Sequence, residues 1–570
     1  MPTWKCSFGV RLASISLAVA YAVGSGPTDG RVSAADTKAV KAAATVEYKI
    51  FAWNDLGMHC FDSDFSTFSL LPPFNTVHAQ VVKKGTKGTK PALCGATEVG
   101  VTFFGTADPD GSINTTSIGK TNFWSYSQAL FGAKAVPDVG LTGTAMPGLR
   151  NTPRALTCDT KKLWTAAGIP LTDIDDAGDF NAYSMMRFQA IRKRQTKAAT
   201  FIDSVVPASS EMDCKSCHAN YGIAASDLHV QTLGLTLSDN ASADMQAREN
   251  ILHLHDILYH TDLWNKRPVL CASCHYSKAL DLTGKGPAGA QIGRPNLSAA
   301  MHLRHGKTID NQLPSAGNPA VISSPGVEAC YKCHPGNQTN CLRSVMAGAG
   351  VGCQNCHGGL LSVGGQFNLT SGKKREPWAN EPKCQSCHTG DFVKNSGGDL
   401  PRAVAFNPSD PAATPIEAPA SRFAENAGKL YRDSTGHGGM ACSACHGSPH
   451  AEWPAADPLS NDTLTPRLLQ GHDGVIIECA TCHGTSLSVT TNGPHGMHNV
   501  NSQAWVKGHE DIVEKVGTSN CKACHGLKGE GTYLSEAQAD RSFTIEDKRT
   551  VAIKAGTKVS CTLCHKNQIK

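Results

Sequence analysis

The chain has 570 residues, of which 18% are charged and only 6% are aromatic, and its formal net charge is +5 at pH 7. It contains 23 cysteines and 23 histidines, which excludes both a small disulfide-stapled protein and an ordinary cytosolic enzyme of this length. Because large aromatic side chains are scarce, we expect something other than side chains to fill part of the interior.

The N-terminus has the composition of a secretory signal. Lys5 and Arg11 form a basic segment, residues 12–23 are apolar, and small residues suited to cleavage lie at 20–22 and at 32–34. The apolar stretch is shorter than the roughly 20 residues that a membrane helix needs, so we expect removal of a signal peptide at 1–34 rather than a retained anchor. The mature chain is therefore predicted to be exported, to the periplasm, the outer surface or the cell exterior, with no membrane span.

Residues 46–208 contain runs of β-branched and aromatic residues that are separated by turn signals. Strand-like runs lie at 46–53, 98–104 and 184–191, and Pro, Gly and Asp mark turns such as the one at 108–111. This pattern predicts an all-β, sandwich-like module at the N-terminus.

A Cys-x-x-Cys-His pattern occurs nine times between residues 214 and 565. The composition alone predicts roughly 0.04 copies of it. The paired cysteines are Cys214 and Cys217, Cys271 and Cys274, Cys330 and Cys333, Cys353 and Cys356, Cys384 and Cys387, Cys442 and Cys445, Cys479 and Cys482, Cys521 and Cys524, and Cys561 and Cys564. The histidines that end the nine copies are His218, His275, His334, His357, His388, His446, His483, His525 and His565.

This spacing is the attachment pattern of c-type haem. Two thiols three positions apart can form thioethers with the two vinyl groups on one edge of a porphyrin, and the adjacent histidine can then bind the iron as the proximal ligand. Zinc knuckles or redox-active cysteine pairs are the alternative interpretation, but zinc sites do not need a histidine after every pair, and export disfavours free thiols. We therefore predict nine covalently attached haem c groups.

Nine six-coordinate haems need nine further ligands, for which histidine and methionine are the main choices. Fourteen histidines lie outside the motifs. The sequence context favours nine of them as distal ligands: His255, His302, His305, His437, His450, His472, His495, His498 and His509.

His302 and His305 lie in a helix-like run at 297–305, for which Ser298 is a candidate N-cap. Three positions apart on a helix, the two histidines project from one face. They are therefore spaced to serve two neighbouring haems.

Other candidate distal ligands are favoured because of their position relative to the motifs. His495 and His498 form a second closely spaced pair, on a turn. His437 and His450 flank the motif that begins at Cys442. We expect histidines so close in sequence to a motif to bind an adjacent haem rather than its own.

A predicted helix contains three further histidines. His253 and His260 share one face of it, whereas His255 points nearly opposite, so we favour His255 as a ligand. His472 and His509 each precede a motif closely and are predicted as ligands on that ground.

The nine motifs divide along the chain into two groups. Residues 209–400 contain five motifs and residues 420–570 contain four, with a Pro- and Ala-rich linker at 401–419. The irregular intervals between motifs argue against a simple repeat. We expect a mainly helical and irregular multihaem domain with short helices at the motifs, almost no sheet, and the haems forming much of the core.

Four cysteines of the mature chain lie outside the motifs, namely Cys60, Cys94, Cys158 and Cys341. In an oxidising compartment they allow up to two disulfides, with three connectivities. Cys94 can pair with Cys158 or with Cys60, and Cys341 can remain a free buried thiol; the sequence does not choose.

A group of potential metal ligands lies near the start of the β module, at His59, Cys60, Asp62, Asp64 and His78. Histidine, thiolate and carboxylate ligands together are suited to copper or zinc. Alternatively, His59 is a distal ligand to a haem of the later region. The remaining interpretation is that Cys60 lies in a disulfide and that the histidines are structural.

Several segments make the chain resemble the large multihaem cytochromes of metal-reducing and related anaerobic bacteria. These segments are Asn-Asp-Leu-Gly-Met-His-Cys at 54–60, Leu-Pro-Pro-Phe-Asn-Thr-Val-His at 71–78, Pro-Val-Leu-Cys-Ala-Ser-Cys-His at 268–275, 330–336 with 341–343, and 445–450 with 493–498. The resemblance covers most of the mature chain. It implies an electron carrier or conduit in anaerobic or extracellular respiration, with other redox proteins, cytochromes or extracellular electron acceptors as partners.

Electron transfer along closely packed haems is therefore the predicted function, and no catalytic residue is assigned. The alternative is a reductase of a small oxyanion or a metal substrate, which needs one haem with an open coordination position and nearby acid–base groups. Every motif ends in histidine and the supply of further histidines is ample, which favours the carrier. No nucleic-acid partner is expected, because two propionates on each haem would outweigh the formal charge of +5.

Overall fold

The computed structural model describes residues 47–309, 330–388, 404–407, 409–417, 421–484, 487, 489–546 and 548–565. The predicted signal peptide at 1–34 lies outside the described residues, as does part of the predicted linker at 401–419. Within these ranges, no helix combines the length and the apolar character that crossing a membrane requires.

The N-terminal region is rich in strands, most of which pair antiparallel. They are β1 (Tyr48–Asn54), β2 (His59–Cys60), β3 (Phe68–Ser69), β4 (Asn75–Lys83), β5 (Ala92–Cys94), β6 (Val99–Thr106), β7 (Arg154–Ala155), β8 (Thr157–Cys158), β9 (Trp164–Ile169), β10 (Met185–Arg192), β11 (Ala198–Val205) and β12 (Ala208–Ser209). The three strand-like runs seen in the sequence are confirmed as β1, β6 and β10, with ends that differ by no more than two residues.

The long strands form two antiparallel sheets. One has the order β1-β4-β9-β8, with β5 also paired to β4, and the other has the order β11-β10-β6-β7. Buried and partly exposed residues alternate along β6, as expected for a strand with one face on a core. Buried residues from both sheets, among them Ile50, Val81, Phe103 and Phe188, share one apolar cluster.

The later region is mainly helical and irregular, as predicted. Apart from α1 (Phe123–Phe131) in the strand-rich region, the described helices are α2 (Lys215–His218), α3 (Asp227–Leu233), α4 (Ala243–Tyr259), α5 (Leu297–Ile309), α6 (Val345–Gly348), α7 (Cys353–His357), α8 (Leu360–Val363), α9 (Cys384–Cys387), α10 (Cys442–His446), α11 (Leu464–Gln470), α12 (Gln503–Val516) and α13 (Ser519–His525). Short 3₁₀ turns connect many of them.

The later region contains two short pieces of sheet, although almost no sheet was predicted there and neither piece was identified from the sequence. β13 (Val269–Leu270) pairs in parallel with β3 and thereby joins the second motif to the strand-rich region. β14 (Arg541–Thr544) and β15 (Thr550–Ile553) form an antiparallel hairpin. Alternate residues of the hairpin are buried, and Phe543 and Val551 belong to a small apolar cluster there.

The two regions are joined by hydrogen bonds between buried groups. The hydroxyl of Ser448 donates to the carbonyl of Asn54 at 2.6 Å. The side chain of Gln80 accepts from the amide of Ala441 at 2.8 Å, immediately before α10. Thr465 donates to the carbonyl of Asp203 at 3.0 Å. These contacts place the sixth Cys-x-x-Cys-His motif directly against β1 and β4.

Candidate haem-binding sites

Each Cys-x-x-Cys-His motif is folded as one helical turn. In six motifs the amide of the histidine donates to the carbonyl of the first cysteine at 2.8–3.0 Å; these histidines are His218, His275, His334, His388, His483 and His565. The other three motifs lie within α7, α10 and α13. Because residues at i, i+3 and i+4 share a helix face, the two thiols and the imidazole of each motif point to the same side.

Eight motif histidines face a second histidine, and all eight of these partners are among the predicted distal ligands. The ring centres are 5.6–6.4 Å apart. The pairs are His218 with His305, His275 with His255, His334 with His302, His357 with His450, His446 with His495, His483 with His437, His525 with His498, and His565 with His509.

This separation is too long for a direct hydrogen bond between the rings and suits one metal ion between them. A metal–nitrogen bond of about 2.0 Å on each side of an ion places the two ring centres about 6 Å apart. The donor set and its spacing therefore fit an iron held between two imidazoles.

Hydrogen bonds at Nδ1 fix the orientation of several of these rings. Nδ1 lies 2.7–3.2 Å from a backbone carbonyl oxygen in His275, His302, His305, His495, His509 and His525. In His255 it lies 2.8 Å from the hydroxyl of Thr261. A bond at Nδ1 sets the tautomer that leaves the lone pair on Nε2, which is the common arrangement for a histidine that binds a metal.

His302 and His305 project from α5 towards two different motif histidines, His334 and His218. One helix thus brings the first and third motifs together. The predicted Ser298 cap is wrong, because α5 begins at Leu297 and the side chain of Asn296 accepts from the amide of Ala299 at 2.8 Å. Ser298 lies inside the helix, where its carbonyl bonds to the ring of His302.

His437 and His450 flank the motif at Cys442, and neither pairs with its histidine, His446. Their partners belong to other motifs, as expected of residues so close to a motif. His450 has a φ of 63°, which is a left-handed backbone conformation.

His495 and His498 also reach two motifs. His495 faces His446, and its φ of 54° places it at a left-handed turn. His498 faces His525 and stacks on the ring of Trp505 at 4.2 Å. The pair thereby joins the sixth motif to the eighth.

On α4 the structure separates three histidines that are close in sequence. His255 faces the motif histidine His275, whereas His253 stacks on Trp264 with the ring centres 4.0 Å apart. His260 ends the helix with a φ of 52°. Of the three, His255 has the geometry of a ligand.

His472 differs from the other predicted distal ligands. Its Nδ1 lies 2.6 Å from the carbonyl oxygen of Asp473, and its Nε2 lies 3.2 Å from a carboxylate oxygen of Glu478. Both ring nitrogens are therefore engaged within the described part of the chain. One motif histidine is not included in the eight pairs, namely His388 of the fifth motif. Its ring centre lies 6.2 Å from that of Phe423.

Burial favours the neutral form of several of the facing histidines. It lowers the pKa of His218, His302 and His446 to about 4, and the second cause in each case is the positive charge that the partner ring would carry. Neutral imidazoles retain the lone pair that a metal needs. These three rings are therefore available as ligands at any pH near neutrality.

The motifs surround a continuous cavity of about 4170 Å³. All three residues of each of the first seven motifs line it, together with Cys524 of the eighth. A pocket for one ligand measures about 300–1,000 Å³, so the cavity can accommodate several large groups. Its walls consist largely of apolar side chains, as an apolar macrocycle requires.

Thiols of different motifs lie within each other's electrostatic range. Burial raises the pKa of Cys333 to about 12, and the thiol of Cys214 is the next cause. The pKa of Cys356, Cys445 and Cys561 is raised in the same way, by burial and then by the thiol of a second motif, which is that of Cys387, Cys482 and Cys521, respectively. The first and third motifs, the fourth and fifth, the sixth and seventh, and the eighth and ninth are therefore spatial neighbours.

The predicted copper or zinc site in the strand-rich region is not formed. His59 bonds through Nε2 to Asp55 at 2.6 Å, which also opposes the alternative that it is a distal ligand. His78 bonds through Nδ1 to Thr165, and Asp62 accepts from Ser69. In the residues that the structure describes, no three or more His, Cys, Asp or Glu side chains are grouped to hold a metal ion.

Comparisons with protein-family models, with curated proteins and with solved structures find no match to this chain.

Proposed function

We propose that this chain is an exported nonahaem c-type cytochrome that transfers electrons along closely packed haems. The observation that supports this most strongly is the pairing of eight motif histidines with eight histidines from elsewhere in the chain, at 5.6–6.4 Å. The motif cysteines would hold each haem by thioethers, and the facing histidines would supply the axial ligands. When bound, haem iron accepts and releases one electron at a potential that its ligands and surroundings set.

The side chains of this protein contribute attachment, orientation and exclusion of water. Thioether bonds retain each cofactor even where little protein surrounds it. The Nδ1 hydrogen bonds hold rings such as His305 and His525 in one orientation, so little rearrangement accompanies a change in charge. The burial of these rings keeps water from competing for the metal.

The same pairs count against a reductase at these eight motifs. Reduction of a small oxyanion or a bound metal requires an open coordination position beside an acid–base group. Two imidazoles on one iron leave no such position. The proximity of several pairs of motifs supports the conduit instead, and the residues of the first seven motifs line one continuous cavity.

The proposal includes the location and partners that the sequence suggests. An exported conduit exchanges electrons with other redox proteins or cytochromes, or with acceptors outside the cell, in anaerobic or extracellular respiration. The segments shared with large multihaem cytochromes support this placement.

Haem content and axial ligation test the proposal directly. The protein is produced with haem-attachment machinery, and its intact mass is compared with that of the bare chain; nine added haems are expected. His255→Ala and His253→Ala form a matched pair on α4. We expect His255→Ala to convert about one ninth of the low-spin ferric signal to high-spin, because His275 loses its facing ligand, and His253→Ala to leave the signal unchanged.

Two results would overturn it. An intact mass equal to that of the bare chain would exclude covalent haem. A wild-type spectrum dominated by high-spin haem would exclude axial ligation by the histidine pairs and would favour a reductase.

A further inference from the structure

Two of the cysteines outside the motifs lie near the place where the strand-rich region meets the third motif. Cys60 lies on β2, opposite Ser209 of β12 in a parallel pairing. Cys341 follows the motif that begins at Cys330 by a short loop. Both residues line the same cavity as the motifs.

Hydrogen bonds hold this loop against β12. The hydroxyl of Ser209 lies 3.3 Å from that of Thr339. The carboxylate of Glu211 accepts from the amides of Asn337, Gln338 and Thr339 at 2.7–3.0 Å. Since Thr339 is fixed beside the strand that pairs with Cys60, the chain brings Cys341, two residues further on, to the same place.

The electrostatics of the two thiols agree with this placement. Burial raises the pKa of Cys60 well above its usual value, and the thiol of Cys341 is the next cause. Burial also raises the pKa of Cys341, to about 11. A like charge disfavours ionisation of a neighbouring group in this way when the two groups are close.

We propose that Cys60 and Cys341 form a disulfide that links the strand-rich region to the segment carrying the third motif. The bond forms by exchange with a disulfide-bearing oxidoreductase of the exported compartment. The thiolate of one cysteine attacks the donor disulfide, the second thiolate displaces the donor, and the donor leaves as a dithiol. The two cysteines thereby lose two protons and two electrons, and one sulfur–sulfur bond forms.

A disulfide between Cys60 and Cys341 would select one of the three connectivities that the sequence left open. Cys94 is 0% exposed and lies in the apolar core between the sheets. The disulfide also removes a free thiol near Cys353, whose own thiol lies within electrostatic range of Cys341. One of the thiols that could compete with this motif cysteine is thereby removed. The cross-link itself does not depend on haem binding.

Peptide mapping of the exported, full-length protein tests the proposal. After alkylation in denaturant without reduction, a non-reducing digest is expected to contain the peptide of Cys60 joined to the peptide of Cys341. Reduction before alkylation should release both. Cys60→Ser should expose Cys341 to alkylation, and Cys341→Ser should expose Cys60. Cys94→Ser, the matched control, should leave the joined peptide intact.

Thermal unfolding gives a second measurement. Either Cys60→Ser or Cys341→Ser is expected to lower the Tm by about 3 °C under non-reducing conditions, because the cross-link restricts the unfolded chain. The proposal is overturned if both thiols are alkylated without reduction, or if Cys60 is found joined to Cys94 or Cys158. The haem count by intact mass is read on the same samples, so failure of the cross-link is distinguishable from failure of the proposed function.

Discussion

The strand-rich region and the later region that carries the motifs, here called the motif region, have different kinds of interior. Between the sheets of the first, large side chains such as Phe51, Phe103 and Phe188 are no more than 1% exposed. In the second, the described apolar clusters are small; one is centred on Ala225, Leu235 and Leu254. The remaining interior there is the cavity lined by the motifs.

This difference has an energetic consequence. Burial of apolar side chains contributes about 25 cal/mol per Å² of surface removed from water, so the strand-rich region has its own source of stability. The motif region lacks a comparable core in its described residues and, under our proposal, obtains one only when haems fill the cavity. The two regions should therefore respond differently to loss of cofactor and to mutation.

The largest expected effect is that of withholding haem. In the chain produced without haem attachment, we expect the amides of β4, β6 and β10 to remain protected from hydrogen exchange, and those of α7, α9 and α13 to lose protection. The reason is that an empty apolar cavity of this size cannot offset the conformational entropy of the loops around it. Exchange measured by mass spectrometry checks this, and equal protection in both regions would contradict the comparison.

The next effect concerns the buried ion pair between Arg343 and Asp462. The two side chains are 0% and 4% exposed, with a closest approach of 2.5 Å, and the guanidinium lies 5.2 Å from the ring centre of Tyr183 in the strand-rich region. Arg343→Met leaves the Asp462 carboxylate buried without its cation and should lower the free energy of unfolding by about 4 kcal/mol.

Denaturant unfolding of the double variant R343M/D462L provides the control for that pair. Because both charges are removed together, more than half of the lost stability should return. If it does not, the effect of R343M comes from packing against Tyr183 rather than from the orphaned carboxylate.

A smaller effect is expected within the core of the strand-rich region. Phe103 is 0% exposed and lies opposite Phe188 in the pairing of β6 with β10. Phe103→Ala should lower the free energy of unfolding by about 3 kcal/mol, because it leaves a cavity between the sheets. Leu149→Ala, at a side chain that is 81% exposed, should change it by less than about 0.5 kcal/mol. If the two substitutions had equal effects, the strand-rich region would not have the packed core that distinguishes it from the motif region.

The smallest effect is a pH dependence at the boundary of the two regions. Burial raises the pKa of Asp62 to about 6, although the nearby Arg248 opposes the rise. Because the folded state holds this proton to a higher pH than the unfolded state, the contribution to stability is fully present below pH 3.8 and is lost as pH rises through about 6. Between pH 5 and pH 7.5, Asp62→Asn should reduce the loss of stability by about 1 kcal/mol.

Urea unfolding at the two pH values measures this difference. Asp239→Asn, at an exposed carboxylate, serves as the matched control and should keep the wild-type pH dependence. An identical pH dependence in wild type and Asp62→Asn would show that the proton is bound elsewhere.

Local patterns in the sequence were sufficient for several features. Runs of β-branched and aromatic residues between turn signals predicted β1, β6 and β10, because the tendency to form a strand is a property of neighbouring residues. The spacing of His302 and His305 predicted that one helix serves two partners. This spacing did not predict where the helix begins. Both Asn296 and Ser298 are suitable cap residues, and in the structure it is the Asn296 side chain that accepts from the amide of Ala299.

Contacts between distant segments could not be derived in that way. His472 resembled His509 in its position before a motif, yet its two nitrogens are bonded to Asp473 and Glu478. The group around Cys60 resembled a metal site, yet the ring of His59 bonds to Asp55 and the ring of His78 bonds to Thr165. Some of these neighbours are close in the sequence, but whether a ring meets such a neighbour or a motif histidine depends on the path of the whole chain, which no local pattern encodes.

The sequence alone determined the nine Cys-x-x-Cys-His motifs, because one helical turn brings two thiols and an imidazole to the same side wherever the turn lies. It also determined the division into a strand-rich N-terminal region and a helical, irregular later region. Only the tertiary structure decided which histidine faces which motif. Those pairs join residues up to 93 positions apart, as in His357 with His450, and their meeting depends on the path of the whole chain.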